Sequence, residues 1–218
     1  MKKPKVLITG SEGRVGKVLV GGLQDEFEIY RLGKINVNAP NYFKVDISNM
    51  SMLEKVFRKV GKIDSIVHLA ADKEVGALWE SVLKNNIIGL RNIYECARKF
   101  GVRRVVFASS NHVSGGYEGI PPKLHKQKNP KIISVMDPIR PDGYYATSKI
   151  FGEAIARQFF ELHGLESICL RIGSVVEGDD PLQDPTGRFM KTWLSFRDIA
   201  QLVKKALFST SPSPHSSS

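Results

Sequence analysis

Tyr145-Ala-Thr-Ser-Lys149 places a tyrosine and a lysine four positions apart. On a helix, that spacing puts both side chains on one face. A free tyrosine, with a pKa of about 10, is a poor base at neutral pH. A neighbouring ammonium favours the phenolate and lowers that value. Tyr145 could then take a proton from a substrate hydroxyl or give one to a carbonyl oxygen. Tyr144 lies one residue too far from Lys149 for the same geometry. Such chemistry also needs a hydroxyl to hold the reacting oxygen. The apolar run 105–110 ends in two, Ser109 and Ser110.

A second signal lies near the N-terminus, in Thr9-Gly10-Ser11-Glu12-Gly13-Arg14-Val15-Gly16. It follows a short apolar run and opens a helical pattern. Gly10 allows a tight turn, Gly13 lets the backbone approach a pyrophosphate, and Gly16 lets helix and strand pack closely. The helix N-terminus adds free N–H groups and the positive end of its dipole. The expected ligand is a dinucleotide. Its ribose should meet the end of the second strand, where an acidic residue commonly binds the 2′-hydroxyl of NAD. Here the segment is Tyr30-Arg31-Leu32-Gly33-Lys34, without Asp or Glu. Arg14, Arg31 and Lys34 could face a 2′-phosphate, or be ordinary surface cations while backbone groups hold the ribose. The expected cofactor is NAD or NADP, with a slight lean to NADP.

The elements that must position these residues alternate. Strands are predicted over 5–9, 27–32, 42–45, 63–70, 103–109 and 167–172. Helices are predicted over 14–24, 50–60 (capped by Ser48), 77–100, 142–163 and 197–208. The β-α-β-α order predicts a Rossmann-type doubly wound parallel sheet of the α/β class. Ligands of such sheets bind at the carboxyl ends of the strands, where both motifs fall. One domain is expected over 1–208, with the Gly-, Pro- and Lys-rich stretch 115–141 as a lid or loop insertion. The Ser/Pro run 209–218 reads as a disordered tail.

Composition narrows the partners. The formal charge of +10 raises the question of nucleic acid. The cations are scattered, however, apart from Lys123, Lys126, Lys128 and Lys131, and no nucleic-acid-binding signature accompanies them. No nucleic-acid partner is expected. The apolar run behind Met1-Lys-Lys-Pro-Lys5 stops at Gly10, too short for a signal core or membrane span, so a cytoplasmic protein without membrane contact is expected. Cys96 and Cys169 sit far apart in apolar patterns and read as buried free thiols.

The G-x-x-G-x-x-G spacing, the Tyr145/Lys149 pair and Ser110 together resemble the short-chain dehydrogenase/reductase superfamily, in its extended NAD-dependent epimerase/dehydratase branch. The resemblance covers nearly the whole chain to residue 208. It implies that Ser110, Tyr145 and Lys149 are catalytic and that Lys149 also holds the cofactor ribose. It implies adenine contacts at Asp46-Ile47; the alternative for Asp46 is a helix start. It implies cofactor contacts along His68-Leu69-Ala70-Ala71, with His68 itself structural, and at Ile172. Asn86 matches the family's helix asparagine near the site, or makes a hydrogen bond in the helix interior. The long helices 77–100 and 142–163 are those the family uses to form homodimers.

Three stretches resemble a narrower group, the uronate dehydrogenases, which oxidise the anomeric carbon of a hexuronic acid to a lactone. They are Ser109-Ser-Asn-His112, Arg140-Pro-Asp-Gly-Tyr-Tyr145 with Ser148-Lys-Ile-Phe-Gly-Glu153, and Leu170-Arg-Ile-Gly-Ser174 with Arg188-Phe-Met-Lys-Thr-Trp-Leu-Ser195. The resemblance implies that Ser110, Asn111 and His112 hold sugar hydroxyls, that Ser174 lines the sugar site, and that Arg188 binds the substrate carboxylate. Lys73 stands where the group has a substrate-binding serine, and Lys34 where it has the acidic ribose ligand. The C-terminal substrate lobe is expected to be truncated or minimal. The alternatives are a nucleotide-sugar epimerase or dehydratase, and a dinucleotide-binding sensor without turnover.

Overall fold

The computed structural model describes residues 2–119 and 121–209. Most of the run read as a Ser/Pro tail, from 210 on, lies outside them. Six parallel strands form one sheet: β1 (Lys5–Thr9), β2 (Glu28–Gly33), β3 (Tyr42–Lys44), β4 (Ser65–His68), β5 (Arg104–Ser110) and β6 (Glu166–Ile172). Their spatial order is β3-β2-β1-β4-β5-β6. The chain moves outward from β1 through β2 to β3, then returns to place β4 on the other side of β1. The loops after β1 and β4 therefore leave in opposite directions and open a crevice at the carboxyl edge.

The helices are α1 (Arg14–Leu23), α2 (Met50–Val60), α3 (Trp79–Val82), α4 (Gly89–Lys99), α5 (Tyr144–His163), α6 (Phe189–Thr192) and α7 (Phe196–Phe208). Successive strand residues point to opposite faces, and both faces are covered. Leu7, Ile66, Val105 and Phe107 pack with residues of α2, α4 and α5. Val6, Ile8, Val67 and Val106 pack with Leu19 and Leu23 of α1 and with Ile199 and Val203 of α7. This double cover explains why β4 is buried at every position and β1 at all but its first. Arg104, wholly buried, donates to the carbonyls of Ala206 and Leu207 and pairs with Glu166. It thus neutralises the negative end of the α7 dipole and ties the last helix to β5 and β6.

Several boundaries differ from the sequence expectation. The strand predicted over 63–70 is four residues long, because Leu69 and Ala70 donate their N–H groups to Thr9 Oγ1, each at 3.2 Å. Ser48 does not cap α2. Its N–H and hydroxyl close a turn on Asp46, and Asn49 accepts from Met52 N at 3.1 Å instead. The helix predicted over 77–100 is helical from Trp79 to Lys99, but Leu83–Ile88 between α3 and α4 is wound as a π-helix. The insertion at 115–141 begins inside a 3-10 helix, Asn111–Tyr117, with a second short one at Leu124–Lys126. Cys96 is buried and Cys169 only half-buried. Both are free, and burial pushes both thiols up to about 12.

Candidate active site

The glycine-rich turn has the geometry its residue types foretell. Gly10 has φ +69°, a left-handed conformation, and a Cβ there would come within 2.9 Å of Ala70 N. A Cβ on Gly16 would meet Gly10 O at 2.4 Å, so the first turn of α1 can rest on the β1 turn only because Gly16 has no side chain. Gly13 meets nothing nearer than 3.4 Å, which leaves its outer side open to a ligand. Arg14 and Val15 follow as the first residues of α1. A cleft of about 270 Å³ adjoins the turn, lined among others by Gly10, Lys34, Ile47, Ala70 and Ala71. A turn kept tight by Gly10 and Gly16 and left open at Gly13, at a helix N-terminus beside a cleft, fits a dinucleotide.

The charges around the cleft are paired. Arg31 meets Glu12 at 2.5 Å, Lys34 lies 3.5 Å from Asp46 and also bonds Asn85, and Arg14 meets Glu177 at 3.0 Å. None of the three cations stands open as the sequence suggested. The acid missing from the end of β2 is supplied to Arg31 by Glu12, from the glycine-rich turn. Asp46 carries Ser48 on one oxygen and Lys84 and Lys34 on the other. Burial raises its pKa, but these hydrogen bonds and cations outweigh it and hold the carboxyl at about 2. Leu69 packs partly into the core at the end of β4.

Asn86 is buried and fully engaged. Its amide donates to Ser148 Oγ at 2.9 Å and to Asp72 O at 3.0 Å, and its carbonyl accepts from Asp72 N at 2.7 Å. It pins the turn after Ala71 to α5. His68 is the floor of this region. Its Nδ1 lies 2.7 Å from Thr9 Oγ1 and its ring stacks on Phe107. Burial, with the nearby Lys149 charge, pushes its pKa down to about 3, so it is a neutral structural group.

Ser110 ends β5, and its hydroxyl accepts from His112 N at 3.2 Å. Tyr145, on the first turn of α5, hydrogen-bonds the same serine. Lys149 is almost completely buried and donates to Ala108 O at 2.7 Å, with Nζ 5.4 Å from the Tyr145 ring centre. The three groups therefore converge at the carboxyl end of β5. Tyr144 turns outward and packs on Trp79, more than half exposed. The expected lowering of the Tyr145 pKa does not appear. Burial raises it, the Ser110 hydrogen bond pulls it back, and the Asp142 charge adds to the rise. The Lys149 ammonium is committed to the strand carbonyl, and burial holds its own pKa down at about 8.

Around this centre, Ser110 Oγ donates to Asn111 Oδ1 at 3.4 Å. His112 Nδ1 lies 2.6 Å from Asp142 Oδ2, and the His112 ring stands edge-on to Tyr145 at 6.0 Å. Ile172 ends β6, and Ser174 just beyond it meets Thr192 Oγ1 at 2.8 Å. Arg188 forms a bidentate pair with Glu118, and the charge of Asp142 reaches it. Lys73 is exposed in the turn before α3. Asp142, Glu118, Thr192 and Thr9 were not singled out from the sequence. Asp142, three residues before Tyr145, had a visible signal. The other three are met only through the fold.

The chain matches the model of the NAD dependent epimerase/dehydratase family over residues 6–206. It is 37% identical to a uronate dehydrogenase of Pseudomonas syringae pv. tomato, covering 94% of this chain and 70% of that protein. It is 32% identical to an L-arabinose 1-dehydrogenase (NAD(P)(+)) of Haloferax volcanii, covering 95% and 84%. A solved mutant of the uronate dehydrogenase from Agrobacterium tumefaciens, complexed with NAD, superposes with TM-score 0.80 at 30% identity, covering 96% of this chain and 74% of that one. With a glycine cradle after β1, a serine at the end of β5 and a Tyr–Lys pair on α5 in one crevice, the chain belongs to the NAD dependent epimerase/dehydratase family.

Proposed function

We propose that the protein is an NAD(P)-dependent dehydrogenase that oxidises the anomeric carbon of a hexuronic acid to a lactone. The observation that carries the chemistry is the convergence of Ser110, Tyr145 and Lys149 beside the glycine cradle. A bound nicotinamide cofactor supplies the hydride acceptor. Ser110 holds the anomeric oxygen, and Tyr145, once it has released its own proton to solvent, takes the substrate hydroxyl proton as the phenolate while the carbonyl forms. Lys149 fixes the floor beneath both through Ala108 and lies where it can bond the cofactor ribose. An acceptor on Asp142 gives His112 Nδ1 the proton in the neutral ring, which leaves Nε2 to accept from a sugar hydroxyl. Asn111 and Ser174 supply further polar contacts.

The acid reading rests on Arg188. Its fork takes a carboxylate with two parallel contacts, here that of Glu118. Lys73 adds a second cation near the site. Gly10, Gly13, Arg14, Val15 and Gly16 would hold the pyrophosphate, and Asp46, Ile47, Leu69, Ala70, Ala71 and Ile172 the rest of the cofactor. Asn86 acts there by fixing the Asp72 turn. NADP remains the slightly favoured form, because Lys34 is half-exposed at the cleft and would meet a 2′-phosphate by exchanging its contacts with Asp46 and Asn85.

We also infer a single working unit over 1–208 with 115–141 as a lid or loop insertion, a cytoplasmic setting, and a homodimer built on the helical run 77–100 and on α5, where Ile88, Phe160 and Leu162 are exposed.

The test is cofactor reduction, followed at the reduced-nicotinamide absorbance band, on glucuronate, galacturonate and glucose with NAD and NADP. Turnover of the acids above the neutral sugar is expected. No turnover of any uronate with either cofactor ends this reading.

A further inference from the structure

Arg188 holds a carboxylate of its own chain. Its Nε meets Glu118 Oε2 at 2.5 Å and its Nη2 meets Oε1 at 2.7 Å, and the two side chains are 14% and 16% exposed. This is the geometry in which an arginine binds a ligand carboxylate, and in a half-desolvated setting it is worth more than a surface pair. Glu118 is also tied to the reacting centre by covalent structure. It closes the 3-10 helix Asn111–Tyr117, whose first two residues are proposed sugar ligands, and its N–H bonds Gly115 O at 2.9 Å. The charge of Asp142, the partner of His112, reaches the same guanidinium. The fork and its occupant therefore border the substrate space.

We propose that Glu118 is a built-in competitor for the anionic group of the substrate: its carboxylate fills the Arg188 fork when the sugar acid is absent and must leave for the acid to bind. The proposal rests on the uronate reading above. It makes Glu118 a specificity-determining residue. A neutral sugar binds with the internal pair intact, whereas an acid must first break it, so the pair weakens acids selectively.

Calorimetric titration of glucuronate and glucose into wild type, Glu118→Gln and Glu118→Ala tests it, together with KM values for both sugars. Either variant should bind glucuronate at least about tenfold more tightly, roughly the value of one charge-assisted contact, and glucose unchanged. Unchanged glucuronate affinity in both variants overturns the proposal. So does an equal gain for glucose, which marks a loosened loop. If wild type fails to oxidise uronates, the functional reading falls, and tighter glucuronate binding by Glu118→Gln still upholds the competitor.

Discussion

In the proposed reaction Tyr145 carries the proton transfer, and its surroundings set a demanding task. Burial holds its proton on, and the Ser110 hydrogen bond is the influence that opposes this. Tyr145→Phe keeps the ring and removes the acceptor. Turnover should fall by about 10²–10⁴-fold, the usual scale for loss of a general base, with cofactor affinity little changed. Tyr144→Phe removes a hydroxyl from an exposed ring packed on Trp79 and should be mild. Equal losses in the two mutants, measured by steady-state kinetics, would show that the helical-face assignment is wrong. The sequence singled out Tyr145 and Lys149 by their i,i+4 spacing, and Ser110 only through the family resemblance. It could not reveal that Lys149 bonds a strand carbonyl, nor that Arg188 is held by a glutamate seventy residues away. Such partners are chosen by packing between distant elements.

At the scale of elements, the β1–α1 unit carries the cofactor argument. The Cβ of Gly16→Ala would lie 2.4 Å from Gly10 O and 2.6 Å from the Ser11 backbone, so α1 must move off the turn. We expect the variant to fold with a lower melting temperature, since overpacking typically costs about 1–3 kcal/mol. It should bind NAD at least about tenfold more weakly, because the helix N-terminus no longer aims at the pyrophosphate. Unchanged NAD affinity by calorimetry would remove the cradle from the cofactor site. Glycine spacing and the switch between apolar periods made this unit readable from sequence alone. The π-wound stretch Leu83–Ile88 was not, because its composition is that of an ordinary helix. Within it, Asn86 bonds Asp72 and Ser148 at once, contacts that only the tertiary packing brings together. Sites of this kind are where π-turns recur.

For the whole molecule, the buried neutral His68 links stability to acidity. Its pKa is about 3 in the fold and about 6.5 when exposed. Below 6.5 the unfolded chain takes up a proton that the folded chain refuses. Stability present above pH 6.5 is therefore lost progressively as pH falls towards 3, by up to about 1.4 kcal/mol per unit. Asp46, held at about 2, adds its own loss only below the ordinary carboxylate range. Urea midpoints should thus fall between pH 6.5 and 5 in wild type and stay flatter in His68→Gln, whatever the variant's absolute stability. Parallel slopes would exclude His68 as the acid-sensitive group. A different consequence follows from α7. The face of β1 that carries Val6 and Ile8 is covered by α1 and by α7, whose Ile199 and Val203 lie some 190 residues later in the chain. On a ribosome adding about 5–20 residues per second, that interval lasts roughly 10–40 s. Throughout it, one side of the first strand to be made lacks half its cover. The nascent chain must either wait with apolar surface open to water or lend it to a chaperone until the last helix emerges.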